Sequence, residues 1–348
     1  MFNRPRILII RLSALGDVIH GLPLLCALRD HLPSAFLSWA VEGPAGDLLE
    51  GHTALNQLIR LPRGWLKSPR KVWELGRRLR KCRFDIAVDA QCLTKSALLS
   101  RLSGAPRRIG YQGVDGRELS RWLNNELVGP TATHVIDRNL QLLVPLGIEN
   151  PRVRFQVPQR DTDADHVRDY LASRHIDHRF AVFHPGASWR SKLWPAERYA
   201  AVARHLSVEH GLPVLVTWGN PRERLMAQRL VDVARGPAGL APALSVGQLS
   251  SLFRMAYLFI ASDTGPLHLA VAVRTPSVGL YGPTPHRRNG PYGPEHLVIQ
   301  EMSPEGESRG RQRTDNTMMM AIGVDSVCAA CDKILERGDL GRTVAQVA

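Results

Sequence analysis

Residues 258–284 have the sequence LFIASDTGPLHLAVAVRTPSVGLYGPT. An apolar run ends at Asp263, a Thr-Gly-Pro turn follows at 264–266, and apolar character resumes on either side of His268. A buried strand, a turn, a helix and a second buried strand explain this order of residues. The polar residues between the buried segments indicate either ordinary loop chemistry or a ligand that binds where the chain turns. The stretch therefore predicts one repeat of an α/β fold, and the other loops decide between the two interpretations.

The same succession of strand, turn and helix recurs in both halves of the chain. Strands that alternate with helices are typical of a parallel sheet in an α/β domain. Asp17 is predicted to open the first helix, and Pro23 to start a fresh first turn within it. A last helix is predicted after residue 324, and further helices at 195–209 and 222–234. The predicted strands are 6–12, 36–41, 57–61, 84–89, 179–184, 213–218, 258–261 and 276–281.

The length of 348 residues is enough for two domains of ordinary size, each with its own core. The polar, proline-bearing segment 150–165 is interpreted as the linker between them. The predicted domains are 1–160 and 161–325, followed by a C-terminal helix and tail at 326–348. Ligands of such folds bind outside the carboxyl ends of the strands, so a cleft between the domains is the expected binding site.

The chain is strongly basic, with 45 Lys and Arg against 32 Asp and Glu, a formal net charge of +13. This excess indicates a polyanionic partner, either nucleic acid, an anionic membrane face or a phosphorylated substrate. Between residues 60 and 83 there are ten Lys or Arg and one Glu. Val72, Trp73, Leu75 and Leu79 lie there at helical spacing, which predicts an amphipathic basic helix. Such a helix suits an anionic lipid surface, although a merely solvated helix gives the same pattern.

Neither a signal peptide nor a membrane span is predicted. The N-terminal apolar run is too short for a signal peptide, and no run reaches the roughly 18 residues of a membrane span. The protein is expected to be cytoplasmic, with peripheral contact at the inner membrane. Of the five cysteines, only Cys328 and Cys331 form a CxxC pair. Ordinary reduced thiols are the favoured interpretation, and a metal or redox role is the alternative.

Two loops that follow predicted strands carry candidate catalytic side chains. In the first, Ser13–Asp17, the carboxylate beside a glycine is either a helix cap or a general base for a hydroxyl substrate. The second is HPGASWRSKLWP at 184–195, where Ser188 and Lys192 precede a helix. A hydroxyl and a cation near a helix N-terminus suit phosphate oxygens. A solvated lysine is the alternative, and the spacing of a Walker A loop is missing.

Two further loops complete the set. Glu223, after the strand at 213–218, is placed either to accept from ribose hydroxyls or to favour the first turn of a helix. In the opening stretch, Gly265 permits close approach of the backbone to a ligand, and Pro266 suits the first helical turn. The N–H groups from Thr264 to His268 are then able to surround a diphosphate. Because all four loops follow strands in equivalent places, the ligand interpretation is favoured over simple turns.

The motifs in these loops match a known family. The sequence resembles the bacterial ADP-heptose:lipopolysaccharide heptosyltransferases of glycosyltransferase family 9, in particular the heptosyltransferase I subfamily. DTGPLHLA and GDVIHGLP carry most of the resemblance. The matching segments extend from near residue 6 to about residue 285, and they are RLSALGDVIHGLPLL (11–25), FDIAVDAQCLTKSALLSRLSG (84–104), HPGASWRSKLWP (184–195), VTWGNPRE (216–223), SDTGPLHLA (262–270) and LYGPT (280–284).

The resemblance implies a GT-B fold, in which two Rossmann-like domains face each other across a cleft. The N-terminal domain would bind the acceptor and the C-terminal domain the nucleotide sugar. The implied reaction is an inverting transfer of heptose from ADP-heptose to the Kdo sugar of the lipopolysaccharide inner core, without metal or other cofactor. The implied partners are this donor and an anionic lipid-linked acceptor, with no nucleic acid.

The resemblance also implies a role for individual residues. Asp17 would be the general base, and Lys192 would balance charge on the departing diphosphate with Ser188 nearby. Glu223 would bind the ribose. The donor sugar and diphosphate would be held by Asp263, Thr264, Gly265, Leu267 and His268. The acceptor would be bound by the basic residues Arg60, Arg63, Lys95 and Arg138.

The sequence departs from the family after Pro285, where a cysteine-bearing segment common in relatives is absent and the polar run 303–317 is interpreted as a loop. Two alternatives of function stay open. One is a related glycosyltransferase with another nucleotide-sugar donor or a protein acceptor. The other is a non-enzymatic basic protein that binds nucleic acid. The absence of a nucleic-acid recognition motif from the sequence disfavours it. A nicotinamide oxidoreductase is disfavoured because no GxGxxG follows the first strand.

Overall fold

The structure, a computed structural model, describes residues 4–62, 64–112, 119–177, 179–302 and 315–347. The chain divides into two compact units, Met1–Pro158 (unit 1) and Gln159–Ala348 (unit 2). The C-terminal helix is part of unit 2. Each unit is built on one six-stranded parallel sheet.

Unit 1 has the strand order β3-β2-β1-β4-β5-β6. Its strands are β1 Arg6–Ile10, β2 Phe36–Glu42, β3 Gln57–Leu61, β4 Ile86–Asp89, β5 Arg107–Tyr111 and β6 Glu126–Val128. Its helices are α1 Leu15–His31, α2 Pro69–Lys81, α3 Thr94–Leu102, α4 Ser120–Leu123 and α5 Val135–Gln141, with short 3-10 helices at Gly43–Leu49, Trp65–Lys67 and Val144–Leu146. The central strand β1 is continuous apolar sequence because helices cover both faces of a parallel sheet.

Unit 2 has the strand order β12-β11-β10-β7-β8-β9. Its strands are β7 Ala181–His184, β8 Val214–Val216, β9 Ala238–Leu240, β10 Leu258–Ser262, β11 Ser277–Leu280 and β12 Leu297–Ile299. Its helices are α6 Asp161–Ser173, α7 Ala196–His210, α8 Pro221–Ala234, α9 Val246–Met255, α10 Gly265–Ala272, α11 His286–Asn289, a short helix Thr317–Met320 and the C-terminal helix Val324–Val347, with one 3-10 turn at Arg190–Lys192.

The two sheets have the same topology. Counted from the first strand of each unit, both have the order 3-2-1-4-5-6, which is the Rossmann arrangement. The strand order reverses between β1 and β4 in unit 1 and between β7 and β10 in unit 2. Ligands of open α/β sheets bind at such reversals, beyond the carboxyl ends of the strands. The predicted class, α/β with two Rossmann-like domains, is confirmed.

The core of unit 2 explains how its strand-end loops are held. Phe183 of β7 packs in one cluster with Trp194 and Tyr199. The centroid of the Tyr199 ring lies 5.8 Å from that of Phe183 and 4.9 Å from that of Trp194. The C-terminal helix adds Cys331 and Leu335 to the same cluster. Trp194 therefore anchors the end of the loop that carries Lys192, and it donates its Nε1–H to the backbone oxygen of Ile322.

Several elements differ from the sequence predictions. Helix α1 continues unbroken through Pro23, which lies in its interior and not at a new start. Helix α6 begins at Asp161, inside the segment interpreted as linker. Acidic residues in its first turn favour a helix start, and Ala164, Val167 and Leu171 are buried at helical spacing. The helix therefore forms despite its polar sequence.

The basic helix α2 is confirmed, but its buried apolar face is narrower than the sequence predicted. Leu75 and Leu79 are buried and Val72 packs against them, whereas the side chain of Trp73 is 63% exposed. Trp73 is stacked near the guanidinium of Arg77, 5.5 Å from the ring centroid. The prediction that Trp73 belongs to the buried face is wrong, because Leu75, Gly76 and Leu79 form the buried side of the helix.

Candidate active site

In unit 1, Asp17 lies in the first turn of α1, just beyond the carboxyl end of β1. Its Oδ2 accepts a hydrogen bond from the backbone N–H of Ala14 at 3.0 Å. Its Oδ1 is paired with Arg11 Nη2 at 2.6 Å, and the Arg11 side chain is 9% exposed against 46% for Asp17. Asp17 is thus a helix cap, as one interpretation expected, and also a solvent-accessible carboxylate held by a buried cation. The two interpretations do not exclude each other.

The loop around Asp17 is fixed by residues that follow β4, on the other side of the strand reversal. Gln91 Nε2 donates to the backbone oxygen of Ser13 at 3.0 Å, and Gln91 Oε1 accepts from the Leu12 N–H at 2.6 Å. Arg11 also donates to the backbone oxygen of Ala90. Burial raises the pKa of Asp89, and hydrogen bonds from the backbone of Cys92 and from Asn124 oppose this rise. Hydrogen bonds to residues that follow β4 therefore hold the loop that presents Asp17.

The predicted acceptor residues have partners within unit 1. Arg60 Nη2 is paired with Asp47 at 2.9 Å and with Glu50 at 3.3 Å. Lys95 Nζ lies 2.5 Å from a carboxylate oxygen of Glu42, whose other oxygen accepts from Trp65 Nε1 at 2.7 Å.

The remaining two predicted acceptor residues differ in what the structure shows. The guanidinium of Arg138 lies 5.6 Å from the centroid of the Tyr111 ring. Arg63 lies outside the described residues, as do positions 303–314 of the predicted loop. Acceptor binding by Arg60, Arg63, Lys95 and Arg138 stays a prediction.

In unit 2, Asp263 follows β10 directly and is the centre of a buried polar cluster. Its Oδ2 is paired with Lys192 Nζ at 2.5 Å and accepts from Thr284 Oγ1 at 2.8 Å. Its Oδ1 accepts from Asn289 Nδ2 at 2.9 Å and lies 3.2 Å from His268 Nε2. The side chains of Asp263 and Lys192 are only 5% and 13% exposed. The structure therefore brings Lys192 of one predicted loop together with Asp263 and His268 of another.

The electrostatics of this cluster favour the ionised pair. Burial alone raises the pKa of Asp263, but the hydrogen bond from His268 and the charge of Lys192 together hold it well below its usual range. Lys192 Nζ also lies 4.7 Å from the centroid of the Trp189 ring. An ammonium group has three N–H donors, so Lys192 keeps donor capacity for a further anion beside Asp263.

The start of α10 is formed largely as the sequence predicted. Thr264 is the N-cap and its Oγ1 accepts from the Leu267 N–H at 3.5 Å. Gly265 is the first residue of the helix and has ordinary helical backbone, so a left-handed conformation is not the reason for a glycine. The Leu267 side chain is fully buried. Any contact of Leu267 with a donor would therefore be made by its main chain.

Glu223 lies in the first turn of α8, where Oε2 accepts from the Gly219 N–H at 2.8 Å. The same oxygen is 3.6 Å from Nε2 of His184, the last residue of β7. Burial lowers the pKa of His184 to about 4, although the negative charge of Glu223 opposes this change. Gly186 makes room for the carboxylate, since a Cβ built there would lie 2.6 Å from Glu223 Cδ. Ser188, on the same loop, is exposed.

Sequence reasoning missed the residues that hold these groups in place. Arg11 and Gln91 orient Asp17, and Thr284 and Asn289 complete the environment of Asp263. Thr284 lies in the LYGPT segment, which was a signal without an assigned role. Arg11 and Gln91 lie within quoted segments that match the family but were given no role, whereas Asn289 lies outside all of those segments.

Two Rossmann-like units, each with charged side chains at the strand reversal of its sheet, are the architecture of the GT-B class of glycosyltransferases. The chain belongs to glycosyltransferase family 9 (heptosyltransferase), whose profile matches residues 72–318. It is a glycosyltransferase enzyme, and the predicted resemblance is confirmed.

The relatives of this chain include named heptosyltransferases. It is 30% identical to lipopolysaccharide heptosyltransferase 1 of Pseudomonas aeruginosa, with 83% of this chain and 81% of the relative covered. It is 27% identical to lipopolysaccharide heptosyltransferase 1 of Escherichia coli K12, over 85% of this chain and 93% of the relative.

Solved structures show the same fold. The glycosyltransferase family 9 protein of Veillonella parvula superposes with a TM-score of 0.82 at 22% identity, covering 96% of this chain and 97% of that one. E. coli heptosyltransferase WaaC with ADP-2-deoxy-2-fluoro heptose superposes with a TM-score of 0.72 at 25% identity, covering 94% and 99%.

Proposed function

We propose that this chain transfers heptose from ADP-heptose to the Kdo sugar of the lipopolysaccharide inner core, with inversion at the anomeric carbon. The buried Lys192–Asp263 pair at the strand reversal of unit 2 is the observation that carries the proposal. Its support from relatives is twofold. Several are named lipopolysaccharide heptosyltransferases, and one was solved with ADP-2-deoxy-2-fluoro heptose.

Unit 2 is proposed to bind the donor. As the bond between the anomeric carbon and the diphosphate oxygen breaks, negative charge grows on the departing ADP. A lysine fixed by Asp263 and Trp189 is a preorganised cation for this charge, so that no metal ion is required. Backbone N–H groups at the start of α10 add donors for phosphate oxygens. Glu223 is proposed to accept from the ribose hydroxyls.

Unit 1 is proposed to supply the base. The Asp17 carboxylate takes the proton of the acceptor hydroxyl while that oxygen attacks the anomeric carbon, and ADP leaves from the opposite face of the sugar. The balance is one glycosidic bond formed, one carbon–oxygen bond to phosphate broken, and one proton on Asp17 that later passes to solvent. Arg11 holds the carboxylate in one orientation, and the exposure of Asp17 permits access by an acceptor.

A lipid-linked acceptor requires the enzyme to work at a membrane, and we include peripheral membrane contact in the proposal. Within the described ranges, no helix is long and apolar enough to cross a bilayer. Helices α2, α3 and α4 pack one against the next in unit 1, and Trp73 on α2 and Trp122 on α4 are 63% and 74% exposed. Exposed Trp side chains among many Lys and Arg suit the headgroup region of an anionic membrane.

The test is a mass-spectrometric screen of nucleotide sugars with the purified enzyme, with and without a Kdo-bearing lipid A acceptor. We expect release of ADP and an acceptor heavier by one heptose only when both ADP-heptose and the acceptor are present. Turnover with another nucleotide sugar, or transfer to a protein, would replace the proposed substrates while leaving the enzyme class intact. Strict dependence of turnover on an added divalent metal would contradict the role given to Lys192.

A further inference from the structure

A second polar cluster lies on helices that the proposed reaction does not use. His205 and His210 belong to the second half of α7, and Asp332 belongs to the C-terminal helix. His205 Nε2 lies 2.8 Å from Asp332 Oδ1, and His210 Nε2 lies 2.7 Å from the same oxygen. The two imidazole rings meet edge to face, with centroids 5.9 Å apart. Two ring nitrogens from one helix and a carboxylate from another thus converge on one point.

The three ligand atoms fit the requirements of a transition-metal ion. They all lie within 4.8 Å of one another, and each comes from a different side chain. Two imidazole nitrogens and one carboxylate oxygen form a donor set typical of Zn²⁺, Co²⁺ or Ni²⁺, whereas Mg²⁺ and Ca²⁺ prefer oxygen ligands alone. The side chains are 27%, 22% and 34% exposed, so an ion is able to reach them from solvent. Water would complete the coordination.

The cluster lies where an ion would connect α7 to the C-terminal helix. The C-terminal helix contributes Val327, Cys331 and Leu335 to the core of unit 2, and Asp332 lies beside these residues. Helix α7 packs against the C-terminal helix and ends at Gly211, directly after His210. An ion held by both helices would therefore fasten the C-terminal helix to the sheet domain at the point where α7 stops.

We propose that His205, His210 and Asp332 form a binding site for a divalent transition metal of the zinc type that stabilises the docking of the C-terminal helix. This site differs from the alternative raised by the CxxC sequence. Cys331 is fully buried in the apolar core, and burial raises its pKa well above the usual value, which disfavours the thiolate that a metal requires.

A purely hydrogen-bonded clip is the competing explanation, because a neutral imidazole is able to donate Nε2–H to a carboxylate. In that case the same contacts persist without metal, and both rings carry their proton on Nε2. Metal binding instead requires the lone pair of Nε2 and therefore the proton on Nδ1. The two explanations make different predictions for cobalt spectroscopy and for thermal stability in the presence of zinc.

The experiment uses the full chain without a polyhistidine tag, treated with a chelator and then dialysed. Co²⁺ is titrated while visible absorption is recorded, and Zn²⁺ is titrated by calorimetry and in thermal melts. We expect one ion per chain, visible d–d bands from low-symmetry Co²⁺, and a melting temperature that rises with Zn²⁺ concentration because the ion binds the folded state. Transfer activity should survive chelation, which separates this proposal from the proposed function.

Variants locate the site. His205→Ala and His210→Ala should each weaken Co²⁺ affinity at least about tenfold, since even outer hydrogen-bond partners of metal ligands cost about 10- to 100-fold. Asp332→Asn should abolish the stabilisation by Zn²⁺ while preserving a side chain of similar shape. The control is His166→Ala, an exposed histidine of α6 that should leave binding unchanged. Absence of saturable binding, or equal affinity in His205→Ala and wild type, would show that the cluster is a hydrogen-bonded clip.

Discussion

At the scale of single residues, the candidate site consists of charges held in place by other side chains. Asp263 is surrounded by a lysine that neutralises its charge and by three further side chains within hydrogen-bond distance. Asp17 is held by Arg11 and by the start of its own helix. Carboxylates fixed in this way are paired already in the folded protein and need little rearrangement during the reaction. Substitutions at these positions therefore change stability and turnover together, and the experiments have to separate the two.

Replacing Lys192 by Met removes the ammonium while keeping a similar length of side chain. We expect turnover to fall by about 10²–10³-fold, the usual effect of losing one preorganised charge-stabilising group. The melting temperature should also fall, because Asp263 remains buried without its cation. The double variant Lys192→Met/Asp263→Asn should regain stability but not activity. Recovery of turnover in the double variant would mean that Lys192 serves only to neutralise Asp263.

Replacing Gly186 by Ala tests the position of Glu223. A Cβ at this residue would lie 2.6 Å from Glu223 Cδ, so the carboxylate has to move away from His184 and Gly219. We expect weaker binding of ADP by calorimetry, with a nearly unchanged circular dichroism spectrum. The matched control is Gly323→Ala, where the nearest atom is 4.0 Å away. Equal ADP affinity in Gly186→Ala and wild type would remove Glu223 from the donor site.

Burial of His184 predicts a pH dependence of stability. The pKa of this histidine is about 4 in the folded chain against an ordinary value of 6.5, so the unfolded chain binds its proton first as the pH falls. Stability contributed by neutral His184 is therefore complete above pH 6.5 and is lost progressively between pH 6.5 and about 4. His184→Gln should lose less stability over this interval in urea unfolding. The same loss in both proteins would assign the pH dependence to other groups.

At the scale of secondary-structure elements, the sequence predicted the strands that are mainly apolar and missed four that are short or polar. Strands β1, β2, β3 and β10 were found within one or two residues, because each is a run of mainly apolar residues. Strands β5, β6, β9 and β12 were missed. They are short, and β5 begins with two arginines. None of the four contains a long apolar run, so no local pattern reveals them.

The exposed tryptophans of α2 and α4 give a prediction for membrane binding. Trp73→Ser/Trp122→Ser should reduce co-sedimentation with phosphatidylglycerol vesicles several-fold, because two interfacial side chains are lost. Binding to phosphatidylcholine vesicles should be weak for wild type, since the cations then lack anionic partners. The control is Leu225→Ser in unit 2, where Leu225 is 70% exposed. Unchanged vesicle binding in the double variant would leave these residues without a membrane role.

At the scale of the whole molecule, the alternation of strands and helices was enough to predict two α/β units with ligand loops at the strand ends. The four loops were correctly placed after β1, β7, β8 and β10. The pairing of Lys192 with Asp263 was not predicted, because it depends on β7 and β10 being neighbours in the sheet. Local sequence predicts which elements form, whereas strand order decides which side chains meet.

The proposed reaction depends on one chemical event, proton removal from the acceptor by Asp17 during heptose transfer. The direct measurement is the rate at which Asp17→Asn adds one heptose mass to a Kdo-bearing acceptor, with ADP affinity measured on the same protein. Asn keeps the shape and is able to accept from the Ala14 N–H, but its amide nitrogen then faces Arg11 and the ion pair is lost. The melting temperature is therefore measured on the same protein. We predict a loss of about 10²–10⁴-fold in rate, the usual cost of a missing general base, with nearly normal ADP binding. The control Asp165→Asn, an exposed residue of α6, should behave as wild type. Transfer by Asp17→Asn at a rate close to that of wild type would reduce Asp17 to a helix cap and contradict the account.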